Sequence, residues 1–199
     1  MAVNDLNETP ASRLLKPPSR PDPGVEALRL MVARRGDPAE TLDSVIRLII
    51  TRFRTDVCSV YLLEPDRTHL VLAATHGLRQ ESVRKVRMSL QEGLAGLVAQ
   101  KSSFVMVADA IQHSRYKYFP DAGEEPFHSF LGLPLLDRGQ LQGVLVLQTS
   151  EQRTFTPGEI QQLTETAGPL GPIVSEVRKI EQLIAPDFER LWGLSRNLW

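Results

Sequence analysis

The sequence predicts an α+β fold: an antiparallel sheet of about six strands with helices packed on it. Three observations predict it. Leu42, Val45, Ile46, Ile49, Ile50 and Phe53 recur at helical period. From Val57 to Gln148 the apolar residues change to short β-branched and aromatic runs, separated by Gly, Pro and Asp. After Thr156 the helical period returns. A length of 199 residues suits one domain with appendages.

Residues 1–24 hold Pro10, Pro17, Pro18, Pro21 and Pro23 with few apolar residues between them. Such a stretch buries too little surface to offset its ordering entropy, and a disordered lead is expected, with the domain running over 25–185. Val25 to Arg35 reads as a first helix closed by Gly36. Asp37 then caps a second, with Pro38 in the first turn and Glu40 three residues after the cap. The apolar stripe from Leu42 to Phe53 follows, opposite Arg47, Thr51 and Arg54.

Val57 to Leu63 is a strand run, broken by Pro65-Asp66, and Leu70 to Thr75 a second, ended by Gly77; together they predict a hairpin. In the first, Val57, Ser59, Tyr61 and Leu63 share one face and Cys58, Val60 and Leu62 the other. Val86, Met88 and Leu90 alternate with Arg87 and Ser89, a half-exposed strand. Gly93 to Gln100 suits a short helix, and Phe104 to Ala108 a buried strand. Phe130 to Leu136 and Leu141 to Gln148 flank Asp137-Arg138-Gly139-Gln140, a four-residue hairpin connection in which Gly139 can take positive φ. A capping box at Thr156-Pro157-Gly158-Glu159 opens the last helix. Ile160, Leu163, Ala167, Leu170, Val174 and Val177 form a coiled-coil-like seam along it, which Pro169 and Pro172 should kink or break. Residues 186–199 carry Phe188, Leu191, Trp192, Leu198 and Trp199 at helical spacing. Two Trp need a surface to cover them, so this segment reads as an amphipathic docking helix.

Charge and composition exclude several functions. Lys+Arg is 23 against 24 Asp+Glu, a net charge of -1, which leaves no excess to neutralise a phosphate backbone. No apolar run approaches a membrane span and no apolar signal core opens the chain, so a cytoplasmic protein without nucleic-acid or membrane partners is expected. The single cysteine, Cys58, permits neither an intrachain disulfide nor a Cys-rich zinc site.

The segments VCSVYLLEPDRTHLVLAATHGL, VRMSLQEGLAGLVAQ, HSRYKYFPDAGEEPFHSFLGLPLLDRGQLQGVLVLQ and RTFTPGE, in this order, resemble a GAF domain. More narrowly they resemble the N-terminal GAF domain of nitrogen-related enzyme I, the phosphoenolpyruvate-protein phosphotransferase of the nitrogen phosphotransferase system. The resemblance runs over roughly Val25 to Glu176 and extends to the odd residues of the long 109–130 insertion. It implies a six-stranded antiparallel sheet with terminal helices on one face. On the other it implies a small-molecule pocket, roofed by the 93–100 helix and the 109–130 loop. It also implies a regulatory role, with 2-oxoglutarate and glutamine the ligands discussed for that family. The family's phosphohistidine domain and phosphoenolpyruvate-binding barrel have no counterpart here, so phosphotransfer activity is not implied. The last dozen residues weakly resemble the opening helix of short bacterial α-glucan phosphorylases.

Candidate chemistry concentrates in the 109–130 loop, longer than an ordinary connection. Arg115 or Lys117 can bind a ligand carboxylate, while Tyr116, Tyr118 and Phe119 can wall it; the alternative is that the aromatics only anchor the loop. Asp109 can bind a ligand amine or cap a turn. Glu125 and Ser129 complete the candidate set. Gly93 and Gly96, at the start of the short helix, suit either anion binding or close helix-sheet packing, and packing is the commoner reason for such glycines. His113, His128 and Glu124 lack metal-ligand spacing, and no metal or cofactor is expected.

Cys58 reads as a buried hydrophobe. One enzymatic GAF class reduces free methionine sulfoxide with several pocket cysteines, which a chain with one cysteine does not supply. The cyclic-nucleotide pattern and the bilin attachment site are likewise absent from the sequence. The expectation is a non-catalytic sensor module. It would bind a small anionic amino or keto acid and relay that state, through its helices, to an attached or partner enzyme. The alternatives are a ligand-free dimerisation module built on the 160–177 seam, with a homodimer as its product, and a GAF-type methionine sulfoxide reductase.

Overall fold

In the computed structural model, which describes residues 38–124 and 127–175 with side chains from residue 42 onward, the first helical stripe becomes α1 (Pro38–Phe53). The expected lead, the helix over 25–35, the Asp37 cap and the docking helix over 186–199 lie outside the described residues. Val45, Ile46 and Ile49 are fully buried and Phe53 nearly so, as a stripe at helical period requires when it faces a sheet.

Six strands follow: β1 (Val57–Leu63), β2 (His69–His76), β3 (Arg87–Ser89), β4 (Val105–Val107), β5 (Ser129–Asp137) and β6 (Gln140–Thr149). Helix α2 (Gly93–Lys101) lies between β3 and β4, and α3 (Pro157–Ala167) closes the described fold. The strands form one sheet in the order β3-β2-β1-β6-β5-β4, and every neighbouring pair is antiparallel. β1 and β6 therefore sit at the centre.

Strand alternation divides the core into two layers. Cys58, Val60, Leu131, Leu133, Leu145 and Leu147 point to the face covered by α1 and α3, joined there by Ile46, Ile49, Leu163 and Leu170. Val57, Tyr61, Phe130, Val144 and Val146 point to the opposite face, where Leu94, Ala95 and Val98 of α2 meet them. The expected split of β1 between the two faces is what the structure shows. Gly132 allows α2 to come close: a Cβ there would lie 2.5 Å from Val98 Cγ2.

Three elements differ from the sequence reading. The β5–β6 strands extend through Asp137 and Gln140, which pair with each other, so the connection is the two residues Arg138 and Gly139 rather than four. Both have positive φ, +48° and +76°, the geometry that matches strand twist in a two-residue hairpin. β4 is shorter than the 104–108 run, and Phe104 is 52% exposed, because β4 is an edge strand with a neighbour only in β5. The last helix breaks once, not twice. α3 ends at Ala167, a turn spans 168–169, and helical geometry resumes over 170–175. Pro169 cannot donate to the helix it follows, whereas Pro172 falls in the first turn of the resumed segment, where no donor is needed.

The seam residues Leu163, Ala167 and Leu170 pack into the sheet-facing core of this same chain. A capping box opens α3: the Glu159 N–H donates to Thr156 Oγ1 (3.2 Å) and the Thr156 N–H to Glu159 Oε2 (2.8 Å). The Thr156 backbone N–H chiefly, and then its hydroxyl and Arg153, hold the Glu159 carboxyl below its ordinary 4.5 against the opposing effect of burial. A carboxyl depressed in the folded state contributes stability above its unfolded pKa, and that contribution is lost as pH falls through the folded value. Thr156→Ala is expected to cost about 0.5–2 kcal/mol at neutral pH. In chemical-denaturation curves, the gap between variant and wild type should narrow as pH drops below 4.5.

Candidate functional site

The chain between β4 and β5 crosses the face of the sheet opposite α1 and α3, and backbone contacts pin it. The Ala110 N–H donates to His128 O (2.6 Å), tying the two ends of the loop together. The Arg79 N–H donates to Ala122 O (3.0 Å) and Arg79 Nη1 to Pro120 O (3.1 Å), holding its middle. Gly123, with φ +73°, turns the chain beneath the Arg79 side chain.

Between this lid, α2 and the sheet lies a partly enclosed hollow. Tyr61, Phe130, Val146 and Gln148 form its floor; Gly93, Leu94 and Ala95, the first turn of α2, form its roof; Tyr116, Lys117, Phe119 and Glu124 close it from the lid, with Met88 and Ala110 at the margin. The space open to the centre of a water molecule is about 30 Å³. That exceeds what one water needs, so the protein's own side chains do not fill the region.

Both wall chemistries are present. Lys117 Nζ pairs with Glu92 Oε1 at 2.7 Å and stands 5.3 Å from the centre of the Phe119 ring. The Lys117 partner and the Ser89 N–H hold the Glu92 carboxyl below its ordinary range. Glu92 precedes the first turn of α2, and its side chain makes no capping hydrogen bond to the amides there. An uncapped helix start favours negative charge. On the floor, burial, and next the Glu124 charge, push the Tyr61 phenol well above its ordinary range, so it is a neutral hydroxyl.

The two glycines of α2 have different reasons. Gly96 is a packing glycine, since a Cβ there would lie 2.7 Å from Leu90 O. Gly93 takes φ +65° at the mouth of the hollow, a conformation that disfavours other residues.

Of the residues singled out from sequence, Tyr116 and Phe119 line the hollow. Arg115 does not: its Nη1 donates to Gln100 Oε1 (3.3 Å), so it ties the lid to the exposed end of α2. Asp109 sits at the base of the lid, accepting from Gln152 Nε2 (2.8 Å) and lying 3.4 Å from His128 Nδ1; its side chain does not cap the 3-10 turn Ala110–Gln112. Ser129 is fully buried and bonds to Thr149. One residue before Phe130, strand alternation turns Ser129 to the α1 face, away from the hollow. Tyr118 is 40% exposed and is not among the lining residues. Glu125 lies outside the described residues.

Lys117 was one of two candidate carboxylate binders, and it is the one in the wall. Tyr61, Gln148 and Met88 went unmarked by sequence. The signal for Gln148 was available: it continues the Val144, Val146 face of β6 as a polar residue in a buried strand.

Glu64, Asp66 and His69 bring ligand atoms within 4.8 Å of one another at the β1–β2 turn. Arg87 Nη2 stands 2.8 Å from Glu64 Oε2 and 2.9 Å from His69 Nδ1, so a guanidinium already compensates this acidic group.

Cys58 lies on the α1 face of the sheet, fully buried, and burial pushes its thiol well above the ordinary range. No thiol therefore faces the hollow. Alkylating reagents are expected to leave the native thiol unmodified and to label it only on unfolding, which mass measurement before and after denaturation checks. Among the described residues, no helix is long and apolar enough to cross a membrane.

A family model described as GAF domain matches residues 36–175. The chain is 39% identical over 137 residues to the Phosphoenolpyruvate-dependent phosphotransferase system protein of Escherichia coli K12, an alignment covering 69% of this chain and 18% of that one. It thus spans under a fifth of the length of the curated relatives it matches. The GAF domain of a phosphoenolpyruvate-protein phosphotransferase from Coxiella burnetii superposes with TM-score 0.74 at 30% identity, covering 80% of this chain and 95% of that one. The free methionine-R-sulfoxide reductase of Neisseria meningitidis, solved with its substrate, superposes with TM-score 0.66 at 19% identity, covering 90% and 99%. At that identity the likeness concerns the fold alone.

Proposed function

The chain belongs to the GAF domain family, and from that premise we propose that it is a non-catalytic regulatory module: it encloses a small anionic amino or keto acid between the sheet and the lid, and passes the bound state to an attached or partner enzyme. The observation that carries this reading is the hollow itself, with Lys117 and the uncapped first turn of α2 on one wall and aromatic rings on the others. Lys117 is already paired with Glu92, so what this wall offers an anion is the start of α2, beside apolar cover for a short carbon skeleton.

Transmission follows from the two central strands. In β1 and β6 the hollow-facing Tyr61, Val146 and Gln148 alternate with Val60, Leu145 and Leu147, which pack beneath α1 and α3. A shift of either strand by a bound ligand is therefore felt by both helices. The ligand acts only through unequal affinity for the two arrangements. The relatives named for the phosphoenolpyruvate-dependent phosphotransferase system support an output enzyme of that class.

The reductase alternative finds no support in the hollow, because the chain's one cysteine faces the other layer of the core. Of the seam on which the dimer alternative rests, Leu163, Ala167 and Leu170 pack on the chain's own sheet, and Val177 lies outside the described residues.

A thermal-shift screen of α-amino acids and α-keto acids against the full chain tests the proposal. At one hundred times its Kd a ligand adds about 2.7 kcal/mol to the folded state, so at least one acid should raise the midpoint by several degrees. Phe119→Ala should abolish the rise. No shift by any acid at millimolar concentration would overturn the reading.

A further inference from the structure

One ion pair joins the lid to the start of α2 at the mouth of the hollow. Lys117 Nζ lies 2.7 Å from Glu92 Oε1, and neither partner is buried, their side chains being 42% and 41% exposed. The two partners are not held alike. Glu92 is fixed from behind: its Oε2 accepts from the Ser89 N–H (3.1 Å), and its own N–H donates to Ser89 O (3.0 Å). Lys117 carries its charge on a long flexible stem, and its ammonium also meets the Phe119 ring, 5.3 Å from the centre.

That ring leads into the hollow. Phe119 and Lys117 both line it. Phe119 Cε2 would stand 4.0 Å from a Cβ on Gly93, the first residue of α2. A slide of the ammonium across the Phe119 face, away from Glu92, therefore carries it toward an anion seated at the start of α2. An ion pair this exposed shifts an equilibrium by roughly fivefold or less. An incoming carboxylate offers the ammonium an equivalent charge-assisted partner, while Glu92 keeps the Ser89 N–H and water.

We propose that Glu92 is an internal competitor of the ligand: it holds the Lys117 ammonium at the mouth, and an acid binds in the hollow by taking that ammonium from it. The inference rests on the proposed ligand-binding role and deepens it, because Lys117 then joins the site by exchange and Glu92 sets the affinity. Two members of one ion pair thus act with opposite signs.

The probes are the α-amino and α-keto acids of the straight three- to six-carbon skeletons, titrated calorimetrically into the full chain. For the tightest probe, Glu92→Gln should bind roughly two- to fivefold tighter than wild type, and Lys117→Gln more weakly by a similar factor. In the double variant, Glu92→Gln should bring no gain over Lys117→Gln alone, because its competition acts through Lys117. A general relief of negative charge would instead tighten binding in both backgrounds, which would overturn the inference. Circular dichroism verifies the fold of each variant. Wild type supplies a test of its own: Lys117 is the chief cause of the depressed Glu92 carboxyl. Followed by carbon NMR through a pH titration, that carboxyl should titrate closer to its ordinary 4.5 when the acid is bound. An unmoved Glu92 titration at saturation, or affinity unchanged or weakened in a folded Glu92→Gln, would overturn the role of Glu92 while leaving the hollow a binding site. Binding of no probe to any of the four chains would overturn both.

Discussion

Ile46→Ala should lower the unfolding free energy by roughly 2–5 kcal/mol. Ile46 is fully buried in α1, within the cluster that includes Cys58, Val60, Leu145 and Leu147 from the two central strands. Removing its outer carbons forfeits their transfer from water and leaves a void, because α1 is held by Val45 and Ile49 on either side and cannot settle onto the sheet. The matched control is Arg47→Ala. Arg47 is exposed and, among the described residues, its side chain pairs with Asp43 one turn away, so its loss should leave the denaturation midpoint where it is. A comparable loss from both variants would mean that α1 is not docked on the sheet as described.

Gly143→Ala should be the most damaging small substitution in the sheet. Gly143 pairs with Leu62 across the β1–β6 junction and with Leu135 beside the β5 irregularity at Leu135/Leu136. A Cβ at this position would stand 2.3 Å from Tyr61 O and 3.3 Å from Leu62 Cα, so the obstruction is backbone and no rotamer relieves it. One of the two central strands must move, at a cost of about 1–3 kcal/mol or more. Because Tyr61 forms part of the hollow's floor, the same shift should weaken ligand binding. Urea denaturation gives the first effect and calorimetric titration the second. Unchanged stability would contradict the tight β1–β6 approach.

The periodic parts of this fold are legible in the residues. The α1 stripe repeats at 3.6, and the β1 faces alternate at 2, so Cys58 and Tyr61 can be assigned to opposite layers before any coordinates exist. The capping box at Thr156 is legible because it is local chemistry between residues three apart. What is not legible is what a face meets. The apolar run from Ile160 to Leu170 reads equally as a seam for a second helix or as a cover for the chain's own sheet, and only tertiary packing assigns it to the sheet.

The site shows the same division. Arg115 attracts notice by its type, yet its direction is set by how the lid crosses α2, and it points to Gln100. Ser129 is one residue from a hollow-lining Phe130, and that single step of strand alternation puts it on the wrong face. Gln148 continues the Val144, Val146 face of β6 in the sequence, but that this face lines a hollow depends on how the lid and α2 cross it.

Backbone amide chemical-shift mapping of the full chain, titrated in turn with α-amino acids and their α-keto and α-hydroxy counterparts, tests the central claim most directly. The account predicts saturable shifts centred on Gly93 to Ala95, Tyr116 to Phe119, Phe130 and Gln148, with smaller shifts following in α1 and α3. Saturable binding that instead perturbs the outer faces of α1 and α3, or no saturable shift with any of these acids, would contradict it.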